Sequence, residues 1–373
     1  MDFSYDETQR MLAESLRRLI DTSYTFPHRR EIARHCAGFD AGFWSTLAEL
    51  GVPGLTVPER FGGFGEGPAT QLAVQRELGR GLVLEPVIPT AIATAILAGH
   101  GSSTLQDNWL PTMASGERIV ALAYLERASR YRPEAIETTA VPDGTTFRLN
   151  GTKTLAWHGA AAHACLVSAR LGGDIALFMV PRDAAGLTVT AYPAMDGLQG
   201  ADLVLCDVTL PADALVCAPR AGLAALQHGL DHGIAAQCAA AAGAMERLIE
   251  ITVEYLGTRQ QFGTPLATFQ ALQHRVADML VQKEIALSMA YVTVQALDDT
   301  DAASRRRKLA GAKVQMARAA RFVGQQAVQL HGGMGMTDEL EVGDYFKHLT
   351  MCDVLLGDTD YHMEQYCAAM AAA

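Results

Sequence analysis

"HACLVSARLGGDIALFMV", residues 163–180, holds two strand-forming runs joined by Gly172-Gly173. Val, Leu, Ile and Phe at this density suit a pleated, half-buried surface, and a glycine pair between such runs signals a hairpin. The same texture continues on both sides. Asp143-Gly144 and Asn150-Gly151 are further hairpin turn signals. "TTFRL" (145–149), "LTVTAY" (187–192) and "ADLVLCDVTL" (201–210) are again short and rich in Val, Leu, Phe and Thr. The pattern predicts a compact antiparallel β-domain over residues 118–216.

The sequence around that block has a helical period. Ser4-Tyr5-Asp6-Glu7 has the form of a capping box, and Met11, Leu12, Leu16, Leu19 and Ile20 follow at helical spacing. Further helical segments near 41–51, 69–80, 89–99 and 104–114 are divided by breakers such as "VPERFGGFGEGP" (57–68). After Pro211 an Ala-rich helix is expected over 221–256 and a second from Thr268, with Leu272, Val276, Met279 and Leu287 on one face. A third runs from 302 to Leu330. Long helices side by side suggest a bundle with an extended interface. The expected organisation is a mainly α chain: an N-terminal helical domain over 1–117, the β-domain over 118–216, and a C-terminal four-helix bundle over 217–373.

Composition narrows the function classes. The 373 residues are 49% apolar and 19% charged, which favours large cores and subunit interfaces over disorder. A net charge of −11 argues against nucleic acid or an anionic membrane as partner. The basic runs His28-Arg29-Arg30 and Arg305-Arg306-Arg307-Lys308 are expected to be solvated helix faces. Seven scattered cysteines without C-x-x-C argue against a disulfide framework or zinc site and for a reducing compartment. "MDFSYDETQR" has no apolar h-region and no run of 18 apolar residues occurs, so a cytoplasmic protein without a signal peptide or membrane span is expected.

Nucleotide and hydrolase motifs are missing: no G-x-x-x-x-G-K-[ST], H-E-x-x-H or G-x-S-x-G occurs. "GGFGEG" (62–67) lacks a preceding strand and reads as a loop. His228 and His232, four apart on a helix with Asp231 between them, are better read as polar helix edges than as metal ligands. "RQQFGTPLATFQALQHRVADM" (259–279) carries more: a cation, an aromatic ring and a helix-opening amide lie within twelve residues. A bare helix connection needs none of these. A bound anionic cofactor uses all three, because a guanidinium forks onto phosphate oxygens and a ring packs on a base.

"RQQFGTPLATFQ" and "QLHGGMGM" (329–336) resemble the two signature segments of the acyl-CoA dehydrogenase family. "FSYDETQRML", "ELGVPGLTVPERFGG" (49–63), "LNGTK" (149–153) and "DVTLPADALV" (207–216) resemble the family in the same order, across nearly the whole chain. The likeness implies FAD held between subunits. On the family pattern Arg259 and Phe262 meet the diphosphate and adenine portion, Gln270 opens the next helix, and Gln329, Gly332 and Gly333 touch FAD held mainly by a neighbouring chain. The glycines are expected to end their helix in a left-handed cap and, lacking Cβ, to let a neighbour's cofactor approach the backbone.

The expected β-domain departs from the family. Of T-E-P and G-S-D, "YLERASRY" (124–131) keeps Glu126, puts Leu125 at the threonine and lacks G-S-D. For W-I-T-N it has "LAWH", with Leu155 at the tryptophan and Trp157 at the threonine; Trp157 either flanks the isoalloxazine or packs the core. The usual catalytic glutamate of a Y-E-G-T segment falls on Leu356, with Gly357 on its glycine, and the alternative family position is Gly233. Asp358, which could serve as the base only with a shift of its loop, and more weakly Asp231 are the candidates that remain. The implied activity is α,β-dehydrogenation of an acyl-CoA thioester, passing electrons to an acceptor. The chain acts as the enzyme, as a subunit of a heteromeric one, or as a catalytically silent FAD-binding or scaffolding subunit paired with an active, glutamate-bearing homologue. Within the family the likeness is greatest to the small subunit of pimeloyl-CoA-type dehydrogenases, implying dicarboxylyl or longer acyl chains.

Overall fold

A computed structural model describes residues 5–34 and 38–371; Ser4 and Cys36 lie outside them. Six helices come first: α1 (Glu7–Ser23), α2 (Phe26–Arg34), α3 (Ala41–Glu49), α4 (Pro68–Arg80), α5 (Val87–His100) and α6 (Ser103–Ala114). A β-region follows with β1 (Val120–Ala123), β2 (Thr139–Asp143), β3 (Thr146–Lys153), β4 (Ala164–Leu171), β5 (Asp174–Pro181), β6 (Leu187–Pro193) and β7 (Gln199–Pro211). Then come α7 (Pro219–Thr258), a small hairpin of β8 (Gln260–Gln261) and β9 (Thr264–Pro265), α8 (Gln270–Leu297), α9 (Ala302–His331), α10 (Val342–Val354) and α11 (Thr359–Ala371).

The capping box that opens α1 sits two residues later than expected. Asp6 Oδ1 accepts from the Gln9 amide at 2.8 Å and Gln9 Oε1 accepts from the Asp6 amide at 3.2 Å. Asp–x–x–Gln closes the box as well as Ser–x–x–Glu does, because each residue offers one acceptor to the other's free N–H. The first basic run lies on α2, and there the solvated-face expectation fails for Arg29, which is 2% exposed and donates Nη2 to the Asp196 carbonyl at 2.6 Å. The second run, at the start of α9, is half-buried, with Lys308 Nζ 2.7 Å from Asp299 Oδ2.

Glycine signals resolve unequally. Gly172-Gly173 joins β4 and β5, with Leu171 opposite Asp174, and Asp143 faces Thr146 across the β2–β3 turn. Asn150-Gly151 is no turn: it lies inside β3 at a register shift against β7. Gly151 has φ +153°, and a Cβ there would lie 2.4 Å from Thr138 Oγ1 and 2.7 Å from Thr138 Cα. Asn150 instead bridges strands, accepting from the Asp207 amide at 2.8 Å and donating to Asp207 Oδ1 at 3.0 Å. A bulge needs the same residue types as a tight turn. The sheet is also mixed rather than antiparallel: its order is β1-β4-β2-β3-β7-β6 with β5 on β4, and β1 and β2 both run parallel to β4.

The chain forms two compact units. One comprises the segment up to His28, Pro68–Val83 and everything from Ile234; the other comprises Arg29–Gly67 and Leu84–Gly233. In the first, α1 and α4 pack with the late helices. A Cβ on Gly79 of α4 would lie 2.0 Å from the Ala240 carbonyl oxygen, and one on Gly243 of α7 would lie 1.9 Å from that of Arg76, so the two backbones touch. Arg76–Glu246, Arg80–Glu250 and Arg17–Glu77 pairs flank this crossing. The core is small-residue and tightly layered, with Cys238, Ala241, Met245, Met279, Ala286, Met316 and Ala320 fully buried. The second unit buries β1, β4 and β5 almost entirely. Among the described residues no helix is long and apolar enough to cross a membrane.

Candidate functional site

The first unit carries both signature segments. Past Thr258 the chain turns through the β8–β9 hairpin, with Phe262 at φ +55° and Gly263 at φ +76°. Two successive positive φ values are the demand of a type I′ turn, and an aromatic residue tolerates it poorly. Phe262 nevertheless holds it and stands 92% exposed, with Phe269 edge-on at 6.2 Å. The Arg259 backbone is tied at both ends, its N–H to the Tyr255 carbonyl at 2.9 Å and its carbonyl to the Leu266 amide at 2.8 Å. Its side chain is exposed and pairs with no described residue. Gln270, exposed, is the first residue of α8.

Gln329, Gly332 and Gly333 form the end of α9, all exposed. The Gly332 amide donates to the Gln329 carbonyl, but at φ +60°, ψ −139° this cap is not the left-handed helical one expected. Glycine alone enters that region freely. A Cβ on Gly332 or Gly333 would meet nothing within 4 Å, whereas one on Gly335 would press within 2.8 Å of the Val328 carbonyl oxygen. The three glycines therefore serve different ends: conformation at 332, packing at 335, and at 333 an open backbone. The helix ends that carry the two segments meet at a stacked pair of rings. Tyr255 stacks on His331 with centroids 4.4 Å apart and planes 28° apart, and its hydroxyl donates to the His331 carbonyl at 3.3 Å.

The loop at the family's base position is rigidly held. Leu356 has φ +61° and Gly357 φ +107°; a Cβ on Gly357 would lie 2.4 Å from His362 Nε2. Lys313 of α9, 1% exposed, donates Nζ to the carbonyls of Cys352 and Gly357, the latter at 3.0 Å, and His362 Nε2 donates to that of Leu356 at 2.9 Å. Burial pulls both bases down, His362 to about 3. Asp353 Oδ1 accepts from the Thr359 amide and hydroxyl, at 2.9 and 2.7 Å. Asp358 accepts the Tyr361 amide at 2.9 Å and so caps α11.

The second unit holds the other candidates. Glu126 is buried and receives Lys153 Nζ (2.6 Å), Thr138 Oγ1 (2.6 Å) and the amides of Thr138 and Glu137 (3.0 and 2.6 Å). Burial works to raise its pKa, but bonds from Lys153, Thr138 and Glu137 prevail and lower it. Burial outweighs Glu126 at Lys153 and brings the ammonium down to about 8. Four donors on one carboxylate keep it ionised. Glu126 thus pins the 126–139 segment to β3 and has no free oxygen for catalysis. Leu125, at the family's threonine, is buried.

Trp157 is half-buried, and its indole N–H is shielded without a partner among the described residues. Its turn is braced by Asp202 Oδ1, which accepts Thr154 Oγ1 at 2.8 Å and Tyr192 Oη at 3.0 Å, and by Leu155, whose amide donates to Tyr192 Oη at 3.0 Å. Asp231 is buried, and His228 and His232 meet Nε2 to Nε2 at 3.2 Å. Burial lowers His232 to about 4, and no described group of three His, Cys, Asp or Glu is arranged to hold a metal. Sequence reasoning missed Lys313, Tyr255, His331 and Asp202 as supports. Of these His331 stood inside a motif, "QLHGGMGM", as Lys153 stood inside "LNGTK", but neither spacing marked it as a support.

Comparison with known proteins covers the whole described chain. Residues 6–117 match the acyl-CoA dehydrogenase N-terminal domain, 121–210 the middle domain and 220–371 the C-terminal domain. The acyl-CoA dehydrogenase FadE12 of Mycobacterium tuberculosis is 33% identical over 310 residues, covering 80% of both chains. Among solved structures, the ChsE4-ChsE5 complex from Mycobacterium tuberculosis superposes with a TM-score of 0.91 at 27% identity over 100% of both chains. An FAD-dependent dehydrogenase does so at 0.89 and 25% identity, again over 100% of both.

Proposed function

This chain belongs to the acyl-CoA dehydrogenase family, and we propose that it is the FAD-contacting subunit of a heteromeric acyl-CoA dehydrogenase whose catalytic base comes from a homologous partner. FAD, when bound, supplies the hydride acceptor for α,β-dehydrogenation of an acyl-CoA thioester. The observation that carries the cofactor reading is an Arg259 whose side chain pairs with no described residue, beside a 92% exposed Phe262, with an open Gly332–Gly333 backbone in the same unit. Arg259 binds the diphosphate, Phe262 packs on the adenine portion, and Gln270 orients the helix start beside it. Gln329, Gly332 and Gly333 meet the FAD of a second chain. Trp157 lends an aromatic face to the flavin ring.

The base reading rests on Leu356. An alkyl side chain moves no proton, and Asp358 spends its carboxylate on capping α11. Heteromeric assembly is supported by likeness to a complex of two differently named chains. The likeness to pimeloyl-CoA-type small subunits adds dicarboxylyl or longer acyl chains as the substrate class, with a separate electron acceptor. The alternative, a scaffold that never meets flavin, is separated by colour: a purified protein without a flavin spectrum, alone and with its partner, would establish it.

Arg259→Ala is expected to raise the FAD dissociation constant by about 10- to 100-fold, the worth of one charge-assisted phosphate contact. Equilibrium dialysis of flavin checks this, and unchanged affinity and stoichiometry would remove Arg259 from the site. The chain is also expected to assemble with at least one other. Phe262 and Met336 are 92% and 84% exposed, and Leu280, Val281 and Ile285 of α8 are also bare to water in the isolated chain. Solution scattering of a flavin-loaded monomer would contradict it.

A further inference from the structure

Two cofactor-facing segments, 70 or so residues apart in sequence, are joined in the first unit by one pair of rings. Tyr255 lies four residues before Arg259, on the last turn of α7, and its carbonyl accepts the Arg259 amide at 2.9 Å. His331 immediately precedes Gly332. The Tyr255 ring lies 4.4 Å from that of His331, and its hydroxyl donates to the His331 carbonyl at 3.3 Å, the last carbonyl before the glycine cap. The histidine is itself fixed: it is 3% exposed, and its Nδ1 lies 2.8 Å from the Ala327 carbonyl. A carbonyl only accepts, so Nδ1 carries the proton, and burial lowers the pKa. The ring is a neutral platform, locked to α9 below and covered by Tyr255 above.

We propose that Tyr255 is a positioning residue for the cofactor: stacked on His331, it holds the Arg259 hairpin and the Gln329–Gly333 cap in one fixed relation before FAD arrives. The cap needs such a brace. Gly332 and Gly333 have no side chain to pack, no described residue lies near their missing Cβ atoms, and glycine backbone loses the most freedom on ordering. Likewise Arg259 has no side-chain partner among the described residues to aim it. Preordering both removes part of the entropy of binding from each contact. The proposal rests on the FAD assignment made above.

The test measures the rate at which flavin leaves the purified holoprotein, by recovery of flavin fluorescence on dilution. Four variants are compared: Tyr255→Leu, Tyr255→Phe, Arg259→Ala and the Tyr255→Leu/Arg259→Ala double. Tyr255→Leu is expected to release FAD about tenfold faster, from the lost stack and hydrogen bond together. Tyr255→Phe keeps the stacked ring and is expected within about threefold of the parent. If Tyr255 works through Arg259, the double variant releases FAD more slowly than the product of the two single effects. A purely structural tyrosine would give that full product, and this result would overturn the proposal. So would parental release from Tyr255→Leu while Arg259→Ala accelerates it. If Arg259→Ala also behaves as the parent, the FAD assignment itself is what fails. His331→Ala removes the stack from the other side and is expected to match Tyr255→Leu. Loss of folding in both would assign the pair to the core and overturn the proposal.

Discussion

Purified without a partner, the chain is expected to reduce its flavin with acyl-CoA about 10²- to 10⁴-fold more slowly than the complex co-expressed with a glutamate-bearing homologue. That range is the usual worth of a positioned general base. The loop that carries Leu356, the base position on the family pattern, has its backbone tied down. Lys313 holds the carbonyls of Cys352 and Gly357, His362 holds that of Leu356, and Asp353 and Asp358 secure the start of α11. The side chain presented is an alkyl group. Asp358 can reach toward a substrate only by surrendering the α11 cap, at about 1 kcal/mol. Single-turnover bleaching of the flavin, alone and with the partner, checks the prediction. Leu356→Glu is expected to restore part of the rate to the lone chain, since glutamate is no more strained at φ +61° than leucine. Fast bleaching by the parent chain, abolished by Asp358→Asn, would show that the aspartate is the base.

Glu126→Ala is expected to cost about 3–5 kcal/mol of folding stability, because it leaves a fully buried ammonium without its counter-charge. Lys153 is 0% exposed and retains only Ser168 Oγ, at 3.1 Å, once the carboxylate is gone. Replacing both residues, as in Glu126→Leu with Lys153→Met, is expected to cost much less, since no charge is stranded. The pH dependence follows from the lowered pKa of Glu126. A carboxylate held below its unfolded value stabilises the fold above that value, near 4.5, and loses the contribution as pH falls through the folded value. The parent should therefore lose stability on acidification over a range where the doubly apolar variant does not. Urea midpoints at neutral and acid pH measure both effects. A Glu126→Ala midpoint equal to the parent's would show that the pair contributes nothing.

Much of the candidate cofactor end was legible because its chemistry is local. Arg259, Phe262 and Gln270 are close enough in sequence to suggest an anionic cofactor by residue type, and the roles of Gln329, Gly332 and Gly333 are what the family resemblance implies. The supports were not legible. Tyr255 and His331, or Lys313 and Gly357, meet only after helices far apart in the chain have packed.

The chain's own order of residues determined its long helices and the strands from β3 to β7, the hairpin at Gly172-Gly173, the helix stop before Gly332 and the want of an acid or base at position 356. Each depends on periodicity, turn residues or side-chain chemistry within a few neighbours. Tertiary structure alone decided that Asn150-Gly151 is a bulge and not a turn, because the deciding contact is Thr138, twelve to thirteen residues away and reached only through sheet pairing. It decided that Arg29 is buried against a carbonyl 167 residues away. It also decided that β1 and β2 run parallel to β4 and that α1 and α4 pack with the late helices. Long-range contacts are chosen by which surfaces can be buried together, and no local run of sequence contains its own partner.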